Sequence, residues 1–140
     1  MLDELGLIPT LRWYIQNFSN RLNIDSQFQA AGFEEKLPPQ IETAFYRIVQ
    51  EALNNISKHA GASQVDIQLK YATGAVELRI RDDGRGFDPE QTPPGHYGLS
   101  MMRERATAMG ATLSITSQPG HGTEIVIRWA ETQDQKDGKR

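Results

Sequence analysis

Residues 47–60, RIVQEALNNISKHA, set the tightest limit on what this chain can fold into. With the residues just before them they place Ile41, Ala44, Phe45, Ile48, Ala52, Leu53 and Ile56 at steps of three and four. That is the spacing of one buried stripe on a helix. Pro39 suits the first turn, where no backbone donor is lost, and Gly61 suits the stop. Off the stripe, Glu51, Asn55 and Lys58 stand at i, i+4 and i+7 and so share a face. A carboxylate, an amide oxygen and an ammonium in that order can hold a water, a metal and a phosphate. The same ladder also serves as an ordinary solvated helix face, and the helix alone does not decide between the two.

The chain has 140 residues, enough for one domain that buries roughly two-thirds of its unfolded surface. A net charge of −3 leaves no basic excess to follow a nucleic acid backbone. With no cysteine, disulfides, thiolate zinc sites and cysteine nucleophiles are excluded. The longest apolar runs fall far short of a bilayer span and no signal-peptide pattern opens the chain. A cytoplasmic location is therefore expected for this piece, with membrane anchoring of a longer parent left open.

Near the start, Ile8, Leu11, Ile15, Phe18 and Leu22 recur three and four apart, the seam of a helix that packs against a partner. Pro9 restarts that helix after Gly6. Residues 24–31 alternate apolar and polar and read as a strand. Further strands are centred on Val65, Ile67 and Leu69, and on Val76, Leu78 and Ile80, with Thr73-Gly74 at the hairpin turn. A loop rich in glycine and proline fills residues 83–97, a length that usually carries function in a compact domain. A helix from about Leu99 to Met109 stops at Gly110, and two last strands hold Leu113 and Ile115, then Ile125, Ile127 and Trp129. Three units result: a helical piece over 1–22, a domain over 23–130, and a frayed polar tail over 131–140. The expected fold class is α/β (α+β), a two-layer sandwich. Its mixed, mostly antiparallel sheet has about five strands covered by about three helices on one face.

Three chemical signals follow in order. Glu51, Asn55, Lys58 and His59 form the first. The second is Asp82-Asp83-Gly84-Arg85-Gly86-Phe87, directly after a strand, where glycines let backbone approach a ligand that the carboxylate reads. Gly95-His96-Tyr97-Gly98-Leu99 is the third, at a helix entry that favours an anion. Each has a plain alternative: a solvated face, a turn, a glycine before a helix. No Gly-x-x-x-x-Gly-Lys-Ser/Thr loop and no HExxH is present. Ser57 and Ser100 have no base and orienting carboxylate arranged around them.

Together these segments resemble the ATP-binding catalytic domain of sensor histidine kinases, within the Bergerat-fold ATPase superfamily. The N box matches Glu51-x-x-x-Asn55-x-x-Lys58-His59, the first glycine box Asp82-x-Gly84-x-Gly86, and the second Gly95-x-x-Gly98-Leu99. Gly120-x-Gly122-Thr123 is similar to the closing glycine-threonine element, and the resemblance runs from Pro38 to Trp129. MLDELGL at the start resembles the tail of the helical dimerisation region in the nitrate-sensor and DegS-like branch. The phosphoacceptor histidine of that branch sits in a His-Asp motif further upstream; Leu2-Asp3-Glu4 only mimics it, with leucine in place of histidine and too short a distance to Glu51, so the phosphoacceptor is expected outside this fragment.

The resemblance implies that Asp82 accepts from the adenine amino group, with Thr123 supporting it or a nearby water. It implies that Asn55 is a ligand to magnesium and that Glu51 orients or deprotonates through metal-bound water. Lys58 and His59 would contact phosphate or ribose, while Gly84, Gly86, Gly95, His96, Gly98 and Leu99 would shape the nucleotide lid. Asp83 is expected to be solvated, Arg103 and Arg105 on the lid helix to face phosphate or solvent, with solvent favoured, and Trp13 and Trp129 to pack. The implied function is transfer of the γ-phosphoryl group of magnesium-ATP to a histidine outside this chain, then to a response regulator. Implied partners are ATP, the helical dimerisation domain and that regulator, with no nucleic acid; the piece would be monomeric and the parent a homodimer. Two alternatives share the boxes: a serine kinase of the anti-sigma-factor type, and a nucleotide-sensing module without transfer activity.

Overall fold

The stripe on residues 41–56 does form a helix, and it sits under a five-stranded sheet. The computed structural model describes residues 2–32, 37–86 and 97–131. Its helices are α1 (Leu2–Leu5), α2 (Leu7–Leu22), α3 (Pro39–Asn55) and α4 (Tyr97–Ala108), and a π turn (Ile56–Ala60) continues α3. The strands are β1 (Asp25–Ala31), β2 (Gln64–Ala72), β3 (Ala75–Asp82), β4 (Thr112–Ser117) and β5 (Thr123–Ala130). They lie in the order β1-β2-β3-β5-β4. Among the described strands only β1 and β2 pair in parallel, and the other three pairs are antiparallel. A parallel pair needs a crossover, and α3 supplies it.

Alternation along the strands sets the inner face. Val65, Ile67 and Leu69, then Val76, Leu78 and Ile80, then Ile125, Ile127 and Trp129 are all buried. Phe45, Ile48, Val49, Ala52 and Leu53 of α3 and Met102 of α4 complete the same cluster. The outward face carries Glu77, Arg79, Glu124, Arg81 and Arg128 in a chain of ion pairs. Such exposed pairs contribute little to stability.

The first helix departs from the expected seam. Leu7, Leu11, Ile15 and Phe18 enter the core, whereas Ile8 is half-buried and Leu22 is 38% exposed. The helix is thus rotated toward Leu7, and its partners are β1 and α3 of the same chain. Gly6, at φ 84° and ψ 177°, breaks α1 from α2 in a conformation almost confined to glycine. The Leu7 amide that this break exposes donates to Glu42 Oε2 of α3 at 3.2 Å. Pro9 lies in the first turn, where its missing donor costs nothing. Trp13 is 52% exposed rather than packed, while Trp129 is in the core.

Between β2 and β3 the turn residues Thr73 and Gly74 both have positive φ, 51° and 78°, as a type I′ hairpin requires. Asp83 is not simply solvated. Its Oδ1 accepts from the amides of Ser63 and Gln64 at 2.8 and 2.9 Å, and its Oδ2 from Ser63 Oγ at 2.8 Å. These bonds hold its carboxyl below the usual carboxylate range, the Ser63 hydroxyl contributing most. A group of lowered folded-state pKa adds stability above its unfolded value, and the contribution is lost as pH falls through the folded one. Asp83→Ala is accordingly expected to melt a few degrees below the parent chain at neutral pH. The gap should close in acid, as followed by circular dichroism; a gap independent of pH would rule this account out.

Candidate functional site

One row of four residues crosses the end of the sheet. Val65 pairs with Asp82, Asp82 with Thr123, and Thr123 with Ser117. Directly paired residues point to the same face, and Val65 fixes that face as the inner one. The strand pattern therefore delivers a carboxylate and two hydroxyls to the mouth of the core. They line an open cleft of about 520 Å³, together with Asp83, Gln118 and His121. That size suits a small-molecule ligand.

Asp82 is 6% exposed, and its Oδ1 accepts from the Gly84 amide at 2.8 Å. Burial pushes its carboxyl above the usual range; the Gly84 bond pulls it down and the neighbouring Asp83 charge adds to the rise. No described cation pairs with it among the ion pairs of this sheet end. A carboxylate held this way is costly to the fold and useful to a ligand that brings a donor.

The loops around Asp82 meet backbone to backbone. Gly122, at φ 75°, has the Asp82 carbonyl where a Cβ would stand, and Gly86, at φ 66°, has the Gln118 carbonyl there. The Gly120 amide donates to the Arg85 carbonyl. Ser117 Oγ donates to the Gly122 carbonyl at 3.0 Å and lies 2.8 Å from Thr123 Oγ1. Thr123 thus touches Ser117, and it stands beside Asp82 by register.

Glu51 and Asn55 lie one turn apart on α3, and both are partly buried. Glu51 Oε1 accepts from Arg105 Nε at 2.7 Å, while Oε2 is buried with no partner among the described residues. Arg105 is therefore more than a solvent-facing residue of α4: partly exposed, it also closes an ion pair between α4 and the α3 face. Asn55 ends the α-helical part, and the π turn then widens the spiral. Because a π turn advances less per residue than an α turn, Lys58 departs from the straight i+7 line and is exposed. The end of this helix is stitched to the acidic loop by the Ser63 and Gln64 bonds to Asp83.

Among the described residues no three carboxylate or imidazole groups converge to cage a metal. Magnesium suits such a place, since it takes one or two protein ligands and keeps waters and phosphate oxygens. The buried, unpartnered Glu51 Oε2 one turn from Asn55 fits an outer-sphere acceptor for such waters. Gly95 and His96 lie outside the described residues, as do the side chains of His59, Gly98 and Leu99, of which only the helical backbone is described. Ser117 and Arg105 are the members that motif reading passed over. Ser117 had a signal: it continues the inward alternation of Leu113 and Ile115 to the strand end. For Arg105 the signal is weaker, a cation between the buried Met102, Ala106 and Met109 of α4.

Comparisons with known proteins agree with this geometry. Residues 40–133 match the family model described as histidine kinase-, DNA gyrase B- and HSP90-like ATPase. A signal transduction histidine-protein kinase/phosphatase DegS of Brevibacillus brevis is 40% identical over 126 residues, covering 90% of this chain and 33% of that protein. The sensor histidine kinase LiaS of Bacillus subtilis is 32% identical over 127 residues, covering 91% and 35%. The chain thus spans about a third of these relatives. Among solved structures, the histidine kinase domain of the Erythrobacter litoralis EL346 blue-light activated kinase superposes with a TM-score of 0.71 at 24% identity, over 92% of this chain and 62% of that one. The catalytic domain of histidine kinase ThkA gives 0.65 at 17% identity, over 92% of each. At these identities the likeness speaks for the fold: a mixed five-stranded sheet under helices, as the sequence led one to expect. No described helix is long and apolar enough to cross a membrane.

Proposed function

Because the chain belongs to the family of histidine kinase-, DNA gyrase B- and HSP90-like ATPases, we propose that it is the magnesium-ATP-binding catalytic domain of a two-component sensor histidine kinase. The parent protein would transfer the γ-phosphoryl group to a histidine outside this chain and then to an aspartate of a response regulator. The observation that carries the reading is Asp82: a buried carboxylate at a strand end, on the cleft wall, with Thr123 in register beside it. Its oxygens accept and cannot donate while ionised, so the base it reads must present a donor. Adenine does so with its exocyclic amino group, and guanine places a carbonyl there instead.

Asn55 would supply an amide oxygen to magnesium, and Glu51 Oε2 would accept from water in that shell. The metal, when bound, neutralises charge on the β- and γ-phosphates. Arg105 holds the other Glu51 oxygen, so the carboxylate has one oxygen fixed and one to offer. Lys58, His59, Gly95, His96, Gly98 and Leu99 are proposed to surround the phosphates, with Gly84 and Gly86 shaping the purine side. Catalysis here is positioning plus charge neutralisation. Residues 1–22 are proposed to continue into the dimerisation helices of the parent, whose partner is the response regulator.

Calorimetry of this chain with ATP, with and without magnesium, tests the reading. Affinity should rise with magnesium, and Asn55→Ala should lose about tenfold of that affinity while magnesium-free binding stays. Equal losses in both conditions would remove Asn55 from the metal site. With radiolabelled ATP and the phosphoacceptor helices of the parent, the label should be acid-labile; acid-stable label would indicate a hydroxyl acceptor and sink the histidine kinase assignment.

A further inference from the structure

The hydroxyl pair at the end of the row has a fixed direction. Ser117 Oγ lies 3.0 Å from the Gly122 carbonyl, and a carbonyl only accepts, so the single hydroxyl proton of Ser117 goes there. The 2.8 Å contact between Ser117 Oγ and Thr123 Oγ1 then takes its proton from Thr123. With that proton turned toward Ser117, Thr123 shows the cleft only lone pairs. Asp82, paired with Thr123 across the sheet, also only accepts. Asp82 and Thr123, neighbours on a wall that also carries Gln118 and His121, are therefore both acceptors, and the polarity of Thr123 is set by a residue a strand away.

We propose that Ser117 is a specificity-determining positioning residue: by drawing in the proton of Thr123 it keeps that hydroxyl an acceptor, so the wall admits a purine bearing an amino group and disfavours one bearing a carbonyl oxygen. The inference rests on the reading above that the cleft takes the base of a nucleotide. A lone carboxylate discriminates by one repulsive contact. A carboxylate beside a hydroxyl with a free proton would partly accommodate a carbonyl, since the hydroxyl could turn and donate to it. Ser117 removes that escape. The pair is anchored by the Gly122 carbonyl, whose own position is set by close packing on the backbone of Asp82.

The test compares ATP with inosine triphosphate, which replaces the amino group by a carbonyl oxygen. Magnesium is present throughout, and the 140-residue chain is used. The parent chain, Ser117→Ala, Thr123→Val and the double variant are titrated by calorimetry. The preference for ATP should fall about fivefold in Ser117→Ala, the worth of one ordinary hydrogen bond. In the Thr123→Val background the same serine change should leave the preference within about twofold, because the hydroxyl it acts through is gone. The ratio of two affinities draws on one folded population, so partial unfolding does not imitate the result. An unchanged preference in Ser117→Ala overturns the inference while leaving the nucleotide site intact. So does an equal fall with and without Thr123, which would mean that the serine acts through the loop backbone. A parent chain that binds neither nucleotide, or both alike, overturns the site reading itself and this inference with it.

Discussion

Asp82→Ala is expected to weaken ATP binding by more than about tenfold, since a hydrogen bond to a charged acceptor is worth roughly 1.5–3 kcal/mol. The side chain is 6% exposed, so removing it also opens a hole that water enters in place of a fixed acceptor. Asp82→Asn separates chemistry from shape. The amide can still accept from the Gly84 nitrogen, as Oδ1 now does at 2.8 Å, but it loses the charge that favours a donor. Its affinity for ATP should fall nearly as far as that of the alanine variant.

Stability should move the other way. The folded-state pKa of Asp82 is raised, chiefly by burial, so the native chain binds a proton more readily than the unfolded one. Its contribution to stability then grows as pH falls through the raised value and is least at neutral pH. Asp82→Asn should therefore melt above the parent chain at neutral pH, with the advantage shrinking in acid. Calorimetry for binding and scanning calorimetry for melting check both halves. An Asp82→Ala chain that binds ATP as the parent does would remove this residue from the site.

Gly122→Ala is expected to destabilise the chain by about 2–5 kcal/mol, combining the left-handed backbone cost with overpacking. Its φ is 75°, and a Cβ would fall on the Asp82 carbonyl, closer than real contacts allow. That neighbour is backbone of a central strand and has no flexible end to swing away. Gly120 supplies the comparison: its φ is 84°, but a Cβ there meets nothing within 4 Å. Gly120→Ala should cost only the conformational part, about 1–2 kcal/mol. Urea unfolding of both variants measures the difference, and equal losses would show that close packing at Gly122 contributes nothing.

Periodicity made the main elements legible. The stripe from Ile41 to Ile56, the alternation of Val76, Leu78 and Ile80, and the Thr73-Gly74 turn each have one physical reading, and the chain adopts it. The seam of α2 was harder, because Leu7 and Ile8 are chemically alike and only the docking angle on β1 and α3 selects between them. Trp13 shows the same limit: a large apolar side chain fits either side of a helix, and here tertiary packing left it exposed. At the site, motif spacing reached Glu51, Asn55, Asp82 and Thr123, residues whose neighbours in sequence identify them. Arg105 and Ser117 escaped because their partners, Glu51 and Thr123, belong to other elements. The π turn was invisible for a related reason: its residues are ordinary helix formers, and no local signal in Ile56–Ala60 separates it from a continued α-helix.

The bond from the Leu7 amide to Glu42 has a kinetic side. The opening turn of α2 finishes its hydrogen bonding with a side chain 35 positions along the polymer, so it gains nothing until the loop between them has closed. Local propensity can start that helix but cannot complete it. That amide and the Glu42 carboxylate thus satisfy each other only once the two segments have met.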